Sequence, residues 1–506
     1  MSNQSQRRPN ILFILPDQQR PDSLGCYGSG TAITPTLDEL SATGVTFENC
    51  YVQNPLCCPS RYSVATGRYP HSHGVVANWY APRPGEVSFG HLLGRAGYRT
   101  AAIGKMHFTP WHDNFGFDGR IIAEAKFHGD CPDDYSRFLA SHGYRRDRLY
   151  DTSSPEYIRR LTTLTSALPQ ELHIDSFVGN SVCEYLRRTD GPFFAFASFL
   201  SPHNPYDPPV PYDHLFDDAE LPPRNMGQHE IHEKPREAYD YINTRLNWPF
   251  TSDAISEEQR QDMVRGYYGL NTLIDDWMGK ILDTLKAQGL YDDTVIIYAS
   301  DHGDLLGDHG LFYKQCFYEQ SVKVPLIVHW PKRFPPRRVT EPVELMDLFA
   351  TICELAGVDP GNANQSTSLI PILEDEPNRL PREAVFSENY FGRMVRWRDY
   401  KMVYYPGRPY GELYDLAEDP QEQANLWTSM EGSAEKRAMK DLLLEWAFLS
   451  ENQMPQPVRP DHFDHTPVDY EMVDGRTRPK QAQHWYLPGF EDLYQGWEFG
   501  TDGRTR

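Results

Sequence analysis

Short runs of continuous apolar residues, spaced by helix-like segments, constrain this fold more than any other feature of the chain. Ile11–Leu15, Val45–Val52, Tyr98–Ile103, Phe193–Phe199, Val295–Ser300 and Val324–His329 have the length of strands. Several lack the polar alternation of a half-exposed strand and so read as strands covered on both faces. Between them lie the helix candidates Thr36–Ala42, Phe89–Ala96, Ser176–Arg187 and Glu257–Gln288. A further helix, Val343–Ala356, is expected to stop at Gly357, a residue suited to the left-handed turn after a helix. Alternation of this kind over about the first 330 residues predicts an α/β fold with a large mixed, mostly parallel sheet and helices on both faces.

The pattern changes after Gly357. Strand-like pieces follow closely at Ala384–Tyr390, Met394–Trp397, Lys401–Tyr405 and Glu412–Leu416, then an amphipathic helix over Ser433–Ser450. A chain of 506 residues exceeds what one core usually serves. The expected division is a large domain over 1–357, a small α+β subdomain over 358–451 and a tail over 452–506. That tail has no period but carries Phe463, Tyr470, Trp485, Tyr486, Phe490, Tyr494, Trp497 and Phe499. Disordered segments avoid such aromatics, so the tail is expected to dock on its own domain or on a second subunit, which makes a homo-oligomer an expectation.

The formal charge of −22 argues against nucleic acid or an anionic membrane as partner. No run of 18 apolar residues offers a membrane span. Met1–Pro9 is polar and basic and feeds straight into the first strand, without the apolar region of a signal peptide, so the expected location is cytoplasmic. The eight cysteines are scattered and form no Cys-x-x-Cys pair, which leaves most of them as buried, reduced thiols.

Cys57 stands apart. It opens Cys57-Cys58-Pro59-Ser60-Arg61, followed by four residues and then Thr66-Gly67. This resembles the signature of the sulfatase family: Cys-x-Pro-Ser-Arg, four variable residues, Thr-Gly. A chance match to its first five positions occurs in on the order of one chain per thousand. The register, with proline at +2 and arginine at +4, marks Cys57 and leaves Cys58 in the variable slot. The resemblance implies an alkaline-phosphatase-like fold and a formylglycine-generating enzyme that oxidises Cys57 to an aldehyde. One hydroxyl of the aldehyde hydrate would attack sulfur, and deprotonation of the other would expel sulfate. Arg61, one helical turn on, faces the same side and can hydrogen-bond the hydrate.

Two acidic segments follow strand candidates, where open α/β sheets place their sites: Asp17-Gln18 and Ser300-Asp301-His302-Gly303-Asp304. By resemblance, Asp17, Gln18, Asp301, His302 and residue 57 hold one divalent metal ion. Oxygen donors favour Ca2+, and the imidazole admits Mn2+. The Asp-Gln and Asp-His pairs are nearest to choline sulfatases and phosphonate monoester hydrolases. Positive charge for an anionic substrate comes from Gly104-Lys105-Met106-His107, from Ser201-Pro202-His203 and from Lys314. The resemblance implies that Lys105 and Lys314 bind sulfate oxygens and that His203 or Lys314 protonates the leaving oxygen. His107 would remove the proton that triggers sulfate release. Leu413-Tyr414-Asp415-Leu416, with Asp419-Pro420 and Asn425-Leu426, extends the resemblance, which runs from Asn10 to Ser450.

The expected function is hydrolysis of a small-molecule or glycan sulfate ester. The rival within the fold is a phosphonate monoester hydrolase or phosphodiesterase, against which the intact Gly-Lys-Met-His weighs. A catalytically dead binding protein would have lost Cys57 or Asp301, and a plain phosphatase would carry Ser or Thr at the nucleophile position. Specificity is expected in Thr109–Arg160, Asn204–Glu233 and the tail.

Overall fold

The computed structural model describes residues 8–126, 133–151, 163–226, 256–376 and 382–451, single positions between 154 and 160, and the backbone of a hairpin within 470–479. Among the described residues, nine strands build the main sheet: β1 (Asn10–Ile14), β2 (Val45–Tyr51), β3 (Arg99–Gly104), β4 (Gly119–Ile122), β5 (Phe193–Ser198), β6 (Thr294–Ala299), β7 (Lys323–His329), β8 (Arg337–Val339) and β9 (Val343–Glu344). Their order is β4-β3-β5-β1-β6-β7-β2-β8, with β9 also on β2. The pairs from β4 to β6 are parallel, as are those of β2 with β8 and β9; only β7 runs antiparallel to its neighbours.

Alternate side chains of one strand enter two different cores. Ile11, Phe13 and Leu15 join the cluster that holds Val64, Phe89, Phe349 and Ile352. Leu12 and Ile14 join the one that holds Leu37, Val178, Val182, Ile274 and Ile281. The helices Cys57–Thr66, Phe89–Arg95 and Asp347–Ala356 thus cover one face, and Pro35–Thr43, Ile174–Arg188 and Glu257–Ala287 the other. Burial on both faces is why the strands read as unbroken apolar runs.

The C-terminal part forms an antiparallel sheet of β10 (Ala384–Glu388), β11 (Arg393–Trp397), β12 (Tyr400–Tyr404) and β13 (Gly411–Asp415). The helix Ala434–Glu451 packs Met439, Leu443 and Trp446 against Val395, Met402 and Leu413 of that sheet. Buried Lys401 of β12 donates to Glu319 Oε1 at 2.9 Å, just before β7, and so ties the two sheets together.

Three local expectations differ from the structure. The helix expected over Val343–Ala356 begins only at Asp347, because Val343 and Glu344 pair with Cys50 and Tyr51 at the open edge of β2. Its end is as expected, with Gly357 at φ 69° donating to Glu354 O at 3.0 Å. The segment after Thr109 carries β4 and the helix Asp134–Ser141, both missed in the sequence. β4 has only four residues with Arg120 among them, too short and too polar to show a period. The tail expectation falls outside the described residues, apart from the backbone of the hairpin Tyr470–Val473 and Arg476–Pro479. Among the described residues no helix is long and apolar enough to cross a membrane.

Candidate active site

Four adjacent parallel strands, β3, β5, β1 and β6, end at the same edge of the sheet. Ile14 pairs with both Ala197 and Tyr298, and Gly104 pairs with Ser198. The residues that follow therefore meet: Lys105 after β3, His203 after β5, Asp17-Gln18 after β1 and Asp301-His302 after β6. Asp17 and Pro202 continue the pairing as an isolated bridge. Gly104 is needed at its place, since at φ +93° a Cβ there would stand 2.0 Å from Ser198 O.

The helix Cys57–Thr66 is buried throughout and points its N-terminus into this edge. The free N–H groups of a helix start carry partial positive charge, and Cys57 sits at the first position. Cys58 N donates to Asn78 Oδ1 at 3.0 Å, and Ser60 Oγ donates to Asp301 O at 2.6 Å. Arg61 spreads its guanidinium over three strand ends, with Nε on Asp301 Oδ2 at 2.7 Å and Nη1 on Lys105 O at 2.6 Å and Ser198 Oγ at 2.8 Å. The far side of the helix is braced by His73. Its Nδ1 accepts from Val75 N at 3.1 Å, which leaves Nε2–H to donate to Ser63 Oγ at 3.0 Å.

That brace makes stability depend on pH. Burial, then Arg68 and His71, hold His73 well below the ordinary imidazole value. The unfolded chain binds a proton near pH 6.5 that the folded chain refuses, so the contribution is present above about pH 6.5 and lost as pH falls below it. Urea unfolding is expected to show a lower midpoint at pH 5 than at pH 7.5. His73→Gln should shrink that difference while lowering the midpoint at pH 7.5. An unchanged difference would assign it to other groups.

One ligand atom from each of Asp17, Cys57, Asp301 and His302 lies within 4.8 Å of the others, all four residues being buried. His302 Nδ1–H donates to Gly303 O at 3.0 Å, which turns the Nε2 lone pair toward Cys57 Sγ, also at 3.0 Å. An imidazole fixed by a carbonyl on its far nitrogen is the usual arrangement of a metal ligand. His302 Nε2 is 3.6 Å from Asp17 Oδ1 and 3.8 Å from Asp301 Oδ1. Burial pulls the His302 pKa down, but Asp301 and Cys57 outweigh it and raise it above the ordinary value. The cluster thus favours positive charge among its donors, and a divalent cation fits this set of carboxylate oxygens and imidazole nitrogen.

Gln18 takes part through both ends of its amide. Nε2 donates to Asp304 Oδ2, Oε1 accepts from Lys314 Nζ, and the backbone N–H donates to Asp301 Oδ1 at 3.0 Å. Its carbonyl oxygen, expected from the sequence to face a metal, faces Lys314 here. Lys105 Nζ bonds Asp17 Oδ2. Burial alone would raise the Asp17 pKa, yet Lys105, His203, Arg61 and His302 hold it well below the ordinary carboxylate range. For Cys57, burial and Asp17 push the thiol up, while Lys314, Lys105 and His302 bring it below its ordinary value. Cys58 behaves oppositely. Burial raises its pKa, and its thiol donates to His107 O at 3.1 Å, away from the donor cluster.

His107 and His203 are both half-buried. Each is held well below the ordinary imidazole value, by burial first and then by Lys105 for His107 and by Lys314 for His203. His203 Nδ1–H donates to Asn204 O at 2.7 Å, which leaves Nε2 as its acceptor. His107 has φ +57°, and that strained backbone is held by Glu124, which accepts from Met106 N at 3.3 Å and His107 N at 2.9 Å. Glu124, Ser198, Asp304 and Tyr206 were not singled out for roles in the sequence. Tyr206 donates to Asp304 Oδ2 at 2.7 Å and so locks the carboxylate that holds Gln18. Asp304 lay inside a quoted motif, but Glu124 follows the strand β4 that the pattern does not reveal.

The family model described as Sulfatase matches residues 9–358, and the model described as N-sulphoglucosamine sulphohydrolase, C-terminal, matches 307–447. An arylsulfatase of Clostridium perfringens (strain 13 / Type A) is 30% identical over 456 residues, covering 84% of this chain and 91% of the relative. A choline-sulfatase of Rhizobium meliloti (strain 1021) is 27% identical over 501 residues, covering 97% of this chain and 92% of the relative. The crystal structure of a phosphonate monoester hydrolase of Agrobacterium radiobacter superposes with a TM-score of 0.74 at 25% identity, covering 94% of this chain and all of that one (100%).

Proposed function

This chain belongs to the sulfatase family and is a sulfuric ester hydrolase, and we propose that it cleaves sulfate monoesters at residue 57, with Asp17, Asp301 and His302 around one divalent metal ion and Gln18 beside them, its amide held by Asp304 and Lys314. The observation that carries the reading is the packing of four buried ligand atoms within 4.8 Å, flanked by the two ammonium groups of Lys105 and Lys314. Position 57 is read as a formylglycine made from Cys57 by a formylglycine-generating enzyme, so the Sγ atom marks where its oxygens stand. The metal is read as Ca2+, with Mn2+ the alternative that the imidazole admits. When present, the metal and the aldehyde hydrate supply charge neutralisation and the attacking oxygen.

The chain's own groups do the rest. Lys105 and Lys314 lean on Asp17 and Gln18 without substrate. They are placed to turn to the sulfate oxygens, offsetting charge that would repel a nucleophile. Asp301, bonded to Arg61 Nε at 2.7 Å, takes the nucleophile's proton while Arg61 keeps the carboxylate oriented. Lys314 or His203 delivers a proton to the leaving alcohol. His203, whose pKa is depressed by burial and then by Lys314, needs the substrate's negative charge to hold that proton. His107, neutral for the same reasons of burial and nearby Lys105, is ready to take the proton whose removal releases sulfate.

A comparison of one aryl sulfate with one aryl phosphonate monoester on the purified, matured protein tests this reading. The wild type is expected to favour sulfate in kcat/KM. Joint replacement of Lys105 and His107 by alanine is expected to reduce sulfate turnover by about 10²-fold more than phosphonate turnover. A wild type that prefers the phosphonate ester would contradict the proposed chemistry.

A further inference from the structure

The segment Asn78-Trp79-Tyr80 lies beside the candidate active site and carries an indole that the protein itself does not bury. Trp79 is 76% exposed and Tyr80 49% exposed. Trp79 also holds φ +71°, a left-handed conformation that bulky side chains rarely adopt. Strain of this kind is kept where the surroundings enforce it, and two contacts do so. Asn78 Oδ1 accepts from Cys58 N at 3.0 Å, fixing the segment to the second residue of the nucleophile helix. The Trp79 ring meets the His107 ring at 5.3 Å in an edge-to-face arrangement, with 72° between planes. The indole is therefore held between the neighbour of residue 57 and the proposed proton acceptor, with most of its surface facing solvent.

We infer that Trp79 forms a wall of the leaving-group subsite and selects sulfate esters whose alcohol presents a ring face, aryl or sugar. This rests on the sulfatase reading and deepens it. An exposed aromatic surface gains by stacking a flat or C–H-rich face, and the Glu124 carboxylate behind His107 is engaged by the N–H groups of Met106 and His107 rather than offered to a cationic alcohol. The discriminating competitor is an acyclic quaternary ammonium ester, which an indole can attract through cation–π contact.

The test compares wild type, Trp79→Ala and Trp79→Phe as matured enzymes on 4-nitrophenyl sulfate, a hexosamine 6-sulfate and choline sulfate. Trp79→Ala is expected to lower kcat/KM for the two ring esters about tenfold, mainly through KM, and choline sulfate less than about threefold. Trp79→Phe should restore most of the loss. Equal losses on all three esters would make the ring a brace for its loop, and a larger loss on choline sulfate would make it an onium site; either overturns the inference. Calorimetric binding of 4-nitrophenyl sulfate in a Cys57→Ala background reads the same contact without turnover. Weaker binding once the indole is removed supports the subsite even where the sulfatase reading fails, and equal binding overturns it.

Discussion

Cys57→Ala is expected to reduce turnover by about five orders of magnitude or more, to background, while the folded state loses only about 1 kcal/mol. The asymmetry comes from what each of two adjacent thiols touches. Cys57 Sγ faces His302 Nε2 at 3.0 Å and Asp17 Oδ1 at 3.7 Å, and it belongs to none of the apolar cores. Cys58, one residue on, is part of the core shared by Tyr62, Phe108 and Phe115. Cys58→Ala should therefore do the reverse and cost more stability than activity. Thermal unfolding and kcat measured on both variants check this. Retained turnover in Cys57→Ala would remove residue 57 from the chemistry.

Asp17→Asn is expected to cost about 10³-fold or more in kcat, equivalent to about 4 kcal/mol of barrier, together with the bound metal. Asp17 is the partner on which the charges of the site converge. Its Oδ2 bonds Lys105 and lies 3.6 Å from Arg61 Nη2, and its Oδ1 lies 3.6 Å from His302 Nε2. The amide keeps the shape and removes the charge, leaving Lys105 and Arg61 buried with less compensation. A chelator should reproduce the loss in the wild type, and added divalent ion should restore it there but not in the variant. The metal should also raise the melting temperature of the wild type alone, since only a native site that binds gains stability by linkage. Elemental analysis should give one ion per chain. Two ions per chain, or a variant that keeps its metal and its rate, would contradict the assignment of Asp17.

Much of this site was legible because it sits where simple patterns end. Continuous apolar runs locate β1, β3 and β6, and the polar residues just past them are Asp17, Lys105 and Asp301, all at one edge once the strands run parallel. What the runs do not encode is lateral order. Nothing local in Ile11–Leu15 says that β1 lies between β5 and β6, because that follows from the crossovers and from which helix covers which face. Residues that act through others stayed hidden for a related reason. Glu124 reaches the His107 backbone only because β4 pairs with β3, and β4 is too short and polar to announce itself. Likewise, Gln18 reads as a metal donor by its place after a strand, but its amide is shared between Asp304 and Lys314, two residues some 290 positions away that only the folded sheet brings near. The strand β9 hides in the same way, since Val343 and Glu344 continue a helical pattern and pair only because β2 leaves an edge open.

The most direct measurement is the mass of the peptide that carries residues 57 and 58, taken from protein that is turning over a sulfate ester. The chemistry proposed here needs an aldehyde at the start of the nucleophile helix, where Lys105, Lys314 and His302 surround one side chain and where Cys58 points away to His107 O. The expected spectrum shows sulfur replaced by oxygen at position 57, with Cys58 intact, in proportion to activity. Active protein whose Cys57 is an unmodified thiol, or in which only Cys58 has been converted, would contradict it.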